Sequence, residues 1–271
     1  MKISIVSSLN ESSIPETQVI EKFEDLCSFL SQLGYDGIEL ALLEPEKIPL
    51  KRIIEISNSY QMKIPALGTG ATYIRFKYSI GSIEPSIRSN ALHRLKKYIE
   101  LASRINSKVI IGLIRGRYSY KSNLEIEKTN IVNSLKDCCK IAEDAGVILL
   151  LEPINRFEID SCNTIKESIK LIEEVNSDYL KLMIDSFHMH LEEDPELIWT
   201  ELDSYHSLIQ HVHLADDTRR APGTGHINFK RLIGVLEKNN YNEFYSFETI
   251  MKPSFEKIAK DSIKYLRSLK I

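Results

Sequence analysis

The sequence predicts an α/β fold, a single-domain (β/α)8 TIM barrel over residues 1–271. Three observations lead there. Strand-like and helix-like segments alternate eight times, with no Pro/Gly/Ser-rich linker and no shift in composition. A length of 271 residues is long for an ordinary domain but normal for an α/β barrel. Four short apolar runs, VILLLE, LKLMID, IQHVHL and EFYSFE, each carry an acidic or imidazole side chain at or near the carboxyl end. Such runs suit strands buried in a parallel sheet. A closed barrel gathers the carboxyl ends of many such strands in one place.

The elements follow in order. KISIVS is a strand, and the amphipathic stretch over residues 16–33 is a helix that Gly34 stops. GIELALL precedes a helix over residues 49–60, and IPALGT precedes a longer loop. Pro85 opens the next helix, in the first-turn position that tolerates proline, and that helix runs to residue 106. KVIIGLI leads into a helix over residues 123–145, ended by Gly146. Helices over residues 164–175, 195–207, 229–238 and 253–268 follow the four charged runs. A doubly wound open sheet is the alternative, but it usually has fewer repeats and a Gly-rich first turn. Here the first turn reads SSLNESS, without a dinucleotide fingerprint.

Bulk properties exclude several classes. The net charge of −3 and pI near 6.2 argue against a nucleic-acid footprint. No apolar run approaches the roughly 18 residues that span a bilayer. The start, MKISIVSS, enters a strand directly, without a signal-peptide pattern. Cys27, Cys138, Cys139 and Cys162 show no CxxC spacing, so a reduced cytoplasmic chain is the simpler reading.

Glu152, Asp185 and Glu248 close their runs, and IQHVHL carries His211 and His213. Taken singly, each carboxylate reads equally well as a helix cap or a partner for lysine. Their joint occurrence on four strand ends favours a shared site, because a buried charge without a partner is costly. Pro153 keeps Glu152 extended and aimed at the barrel mouth. Strand alternation puts His211 and His213 on one face, with His213 nearer the mouth as ligand and His211 one layer deeper. The expected metal ligands are therefore Glu152, Asp185, His213 and Glu248. Glu158, His188 and Arg219, on the loops beyond three of these ends, form the expected substrate shell. His93 and His206 fall on helices, and His190 and His226 receive no role.

The segments EPINRFE, IDSFHMHLEE, HVHLADDTRRAPGTGH and FET resemble the xylose-isomerase-like sugar isomerase/epimerase superfamily, and within it the D-tagatose/D-psicose 3-epimerase group. The resemblance implies one divalent metal, usually manganese, on Glu152, Asp185, His213 and Glu248. It also implies that the two glutamates are the acid/base pair and that Glu158, His188 and Arg219 contact substrate. The superfamily includes endonuclease IV-type nucleases, whose additional histidines are missing here from ALGTG and IIGLIRG. Lyases of the 3-dehydroshikimate dehydratase kind are a further alternative.

The donor set of three carboxylates and one imidazole suits manganese or magnesium, with cobalt and zinc also compatible. A ketose or related hydroxy-carbonyl sugar, free or phosphorylated, is the expected substrate, epimerised through an enediolate. Glu152 and Glu248, expected roughly opposite across the barrel, would serve its two faces. A homo-oligomer, dimer or tetramer, is also expected.

Overall fold

The computed structural model describes residues 1–9, 15–119 and 123–269; residues 10–13 of the first turn, SSLNESS, lie outside these. The strands are β1 (Lys2–Ser8), β2 (Gly37–Ala41), β3 (Ala66–Gly68), β4 (Lys108–Ile111), β5 (Leu149–Leu151), β6 (Leu180–Asp185), β7 (Ile209–Leu214) and β8 (Phe244–Phe247). All neighbours pair in parallel, and β1 closes the barrel on β8 with Ile3 opposite Tyr245.

The helices are α1 (Glu16–Leu33), α2 (Leu50–Ser59), α3 (Gly70–Phe76), α4 (Pro85–Ile105) and α5 (Leu124–Ala145). They continue with α6 (Ile165–Val175), α7 (Ser186–Glu192), α8 (Ile198–Tyr205), α9 (Phe229–Lys238) and α10 (Phe255–Ser268). Local chemistry sets their ends. Gly34 at φ 80° and Gly146 at φ 66° provide the left-handed caps that stop α1 and α5. Thr164 and Glu167 form a reciprocal capping box that starts α6, whose Ile165, Ile169, Ile172 and Val175 then point into the core. Burying each of those side chains contributes about 1.5–3 kcal/mol.

Two helices lie where the sequence suggests loop. α3 occupies the stretch after IPALGT, and α7 begins at the residue after Asp185. Asp185 itself starts α7, because its Oδ1 accepts the backbone N–H groups of Phe187 at 2.7 Å and His188 at 3.3 Å. The helix expected over residues 195–207 is accordingly shorter, Ile198–Tyr205, with a 3₁₀ turn after it.

Strand alternation separates two cores. Leu67, Val109, Ile111, Leu151, Ile184, Val212 and Phe247 face the helices within one large apolar cluster. The lumen is divided. On one side Ala66, Ile110, Leu150 and Met183 form a small apolar plug. On the other side the buried side chains are polar: Ser4, Glu39, His211, His213 and Ser246. Among the described residues no helix is long and apolar enough to cross a membrane.

Candidate active site

The carboxyl ends of β5 to β8 bring Glu152, Asp185, His213 and Glu248 together, with one ligand atom from each within 4.8 Å of the others. Asp185 ends β6 and His213 is the penultimate residue of β7, whereas Glu152 and Glu248 lie one residue beyond β5 and β8. Around His213 Nδ1 stand Glu248 Oε2 at 3.2 Å, Asp185 Oδ2 at 3.7 Å and Glu152 Oε1 at 3.8 Å. The two glutamates are not diametrically opposed. Their strands are separated by β6 and β7, so the four ends form one arc, and the long glutamate side chains reach inward from its two ends.

This much negative charge in a buried place perturbs every member. Burial, and then the charge of Glu248, push Glu152 up to about 8. Burial also opposes ionisation of Asp185 and Glu248, but Arg219 and His213, joined at Asp185 by His188, together outweigh it and hold both carboxyls below their usual range. Burial opposes charging of His213, yet Glu39, Glu248 and Asp185 around the ring together outweigh it and raise its basicity. Asp185 Oδ2 is buried without a hydrogen-bond partner. An oxygen-rich cage with a buried carboxylate oxygen that accepts no hydrogen bond, and a carboxyl pushed up by burial and a neighbouring carboxylate, fits a divalent cation.

The expected substrate shell assembles around the cage. His188, on the first turn of α7 and 2% exposed, has Nδ1 2.7 Å from Asn155 Nδ2 and Nε2 3.2 Å from Arg219 Nη1. Burial lowers its pKa, which favours a neutral ring. Asn155 also donates to Glu158 Oε1 at 2.9 Å, tying two members of the shell together. Arg219 forms an ion pair with Glu248 and approaches Asp185 Oδ2 at 3.3 Å. Its backbone is left-handed, φ 58°, in a loop that Asp216 organises. The buried Asp216 carboxylate accepts the N–H groups of Gly223 at 2.8 Å, Gly225 at 2.9 Å and Ile227 at 3.2 Å.

A cleft of about 320 Å³ opens over these groups. Its polar side carries Glu152, Glu158, His188, Arg219 and Glu248, and its other wall is small or apolar: Ala41, Gly68, Gly70, Ala71, Ile74 and Leu113. Gly112 is needed there, since a Cβ on it would overlap Glu152 Oε2. The ends of β3 and β4 carry Gly68, Thr69 and Gly112, with no imidazole.

Three residues of the assembly are not singled out by the sequence. Glu39 hydrogen-bonds both His211 and His213 from within β2, and a lone glutamate inside GIELALL was the available signal. Asn155 and Asp216 lie inside motifs already noted, EPINRFE and HLADD, but as residues that also suit ordinary turns. His211 lies two residues deeper than His213, as alternation requires. His226 is exposed and paired with Asp217 at 2.7 Å, away from the cage.

Known proteins resemble the chain along nearly its whole length. It is 24% identical over 274 residues to the 3-dehydro-D-guloside 4-epimerase of Escherichia coli strain K12, covering 97% of this chain and 99% of that one. It is 28% identical over 222 residues to the D-psicose 3-epimerase of Ruminiclostridium cellulolyticum, covering 79% and 73% of the two chains. Among solved structures, a 3-keto-D-glucoside 4-epimerase from E. coli superposes with TM-score 0.83 at 22% identity, covering 99% of both chains. A D-allulose 3-epimerase from Methylomonas sp., in complex with D-allulose, superposes with TM-score 0.84 at 20% identity, covering 98% and 96%. A model of the xylose isomerase-like TIM barrel family matches residues 27–269, and the chain belongs to that family.

Proposed function

We propose that this chain is a divalent-metal-dependent epimerase of an unphosphorylated hydroxy-carbonyl sugar, with manganese as its metal. The observation that carries the reading is the convergence of Glu152, Asp185, His213 and Glu248 on one point beneath the cleft. These four side chains would hold the ion. When bound, it polarises the sugar carbonyl and offsets the charge that develops on the carbonyl oxygen.

The chain's own groups supply the proton chemistry. One of Glu152 and Glu248 removes the proton from the carbon beside the carbonyl, and the other returns a proton to the opposite face. Placed at the two ends of the arc, the carboxylates approach a sugar lying between them from different sides. Arg219 donates to sugar oxygens at the reacting end, and neutral His188 forms a hydrogen bond to one of them. Glu158, tied through Asn155 to His188, orients a neighbouring hydroxyl. Names of relatives support the class: 3-epimerases of D-psicose and L-ribulose, and 4-epimerases of keto-glycosides.

The loop after β7 disfavours a phosphate on the substrate. In barrels of this architecture, phosphates often sit on backbone N–H groups of the loops after the seventh and eighth strands. Here the N–H groups of Gly223, Gly225 and Ile227 are already taken by the chain's own Asp216 carboxylate. Arg219, the guanidinium lining the cleft, is already paired with Asp185 and Glu248. A dianion in this mouth would face Glu152, Glu158 and Glu248.

The test is a panel of free ketoses, keto-glycosides and their phosphate esters, run with the manganese-loaded chain in deuterated water. Inverted products carrying deuterium at the inverted carbon are expected from the neutral sugars. A conjugated, ultraviolet-absorbing product would instead mark a dehydratase. Faster turnover of a phosphate ester than of its free sugar would overturn the unphosphorylated assignment.

A further inference from the structure

Within the polar half of the lumen, Glu39, His211 and His213 form one hydrogen-bonded group beneath the cage and meet it through a single ring. Glu39 Oε1 lies 2.9 Å from His213 Nε2, and Glu39 Oε2 lies 2.7 Å from His211 Nε2. Glu39 and His211 are 1% exposed and His213 is 2% exposed, so no solvent competes for these bonds. The other nitrogen of His213, Nδ1, faces the oxygens of Glu248, Asp185 and Glu152.

A neutral imidazole has one N–H and one lone pair, and which nitrogen carries which is set by its neighbours. A carboxylate only accepts. Glu39 therefore places the proton of His213 on Nε2 and directs the Nδ1 lone pair into the carboxylate cage, where a cation is the fitting partner. His211 donates to the second oxygen of Glu39, so that oxygen is satisfied and the carboxylate plane is held. His211 and His213 stand on alternate positions of β7, and β2 is separated from that strand by β8 and β1. The three side chains thus fix one another on one side of the lumen.

We propose that Glu39 is a positioning residue for the metal centre: it fixes His213 in the tautomer that presents Nδ1 to the ion, and His211 in turn fixes Glu39. The inference rests on the metal-site reading above. Carboxylates that orient a ligating imidazole through its second nitrogen typically contribute 10- to 100-fold to metal affinity. The same three residues are also near enough to hold an ion themselves. Their N···O separations of 2.7 and 2.9 Å are hydrogen-bond lengths, however, and we assign them as such.

The experiment measures manganese and zinc affinity of the full chain by competition with a chromophoric chelator. Wild type, Glu39→Gln and Glu39→Leu are compared, and melting of each metal-free chain is recorded in parallel. Glutamine is nearly isosteric, but its amide N–H₂ must face one of the two histidine N–H donors, so one bond is lost. Affinity is expected to fall about 10-fold in Glu39→Gln and up to about 100-fold in Glu39→Leu. Should the leucine variant not fold, the glutamine variant carries the test alone. In the zinc-loaded wild type, nitrogen NMR of the histidines should show His213 bearing its proton on Nε2 and bound through Nδ1. Affinities within threefold of wild type in folded variants, a metal on Nε2, or two ions per chain would each overturn the proposal. Wild-type chain that binds no divalent ion would overturn the metal reading first and this inference with it.

Discussion

The guanidinium of Arg219 lies over the ring of Phe187, with Cζ 4.7 Å from the ring centroid. Phe187 precedes His188 on α7, and Arg219 comes from the loop after β7, so this contact aligns two parts of the substrate shell. A guanidinium makes such a contact more often than an ammonium and is more weakly hydrated.

Replacing Arg219 by lysine keeps the charge but loses both the stacking and the two-pronged donation. Turnover per KM is expected to fall about 10²-fold, while bound manganese, measured by elemental analysis, stays near the wild-type level. His188→Ala should behave in the same way. Loss of the metal in both variants would move these residues from substrate to cage.

Glutamine at 152 or 248 keeps an oxygen and the volume of the side chain but cannot accept a proton at neutral pH. Each change should lower kcat on the order of 10²-fold or more while the ion is retained. Deuterium wash-in at the inverted carbon should disappear in step with turnover. Near-native rates in both variants would remove the two-glutamate route.

Gly112→Ala tests the packing beneath the cage. The added methyl meets Glu152 Oε2 and must displace it. A displacement of about 1 Å costs a catalytic group on the order of 10²-fold. We expect that loss in kcat in the folded variant. A large drop in melting temperature, with kcat intact, would mean that the backbone moves instead of the carboxylate.

Away from the site, Glu193 gives a pH signature. Its Oε1 accepts the backbone N–H of Ile165 at 2.6 Å, and burial, with Glu201 nearby, pushes its carboxyl up to about 7. A folded-state pKa raised above the unfolded one means that the folded chain holds the proton more tightly. The contribution is therefore fully present below about 4.5 and lost as pH rises through about 7. Between pH 5 and 8 the metal-free wild type should lose more melting temperature than Glu193→Gln. Parallel pH profiles for the two chains would refute the assignment.

The barrel was legible in the sequence because apolar period and glycine stops recur with each βα unit. Its ligand candidates were legible because four strand ends carry such groups together, although each alone could cap a helix or pair with a lysine. Glu39 was not, because one glutamate inside a strand looks like an outward-facing residue until closure of the barrel turns it inward. α7 was missed for a different reason. Capping a helix and lining a metal cage were weighed as alternatives for Asp185, whereas its Oδ1 does the first while its Oδ2 faces the second. Asp216 could not be recognised without knowing which backbone amides the loop would turn towards it.

The unequal halves of the lumen bear on how such a barrel changes. All four cage residues and Arg219 belong to the stretch from β5 to the residue after β8, while the wall that a sugar's far end would meet comes largely from the β2, β3 and β4 loops. The amino-terminal half can therefore be redrawn, by widening at Ala71 or trimming Ile74, without moving a proton-transfer group. Among the described residues, Glu39 is the one side chain of that half hydrogen-bonded to a side chain of the cage. A recombined barrel that takes its first four strands from another member must bring a carboxylate at that position, or His213 loses its orientation.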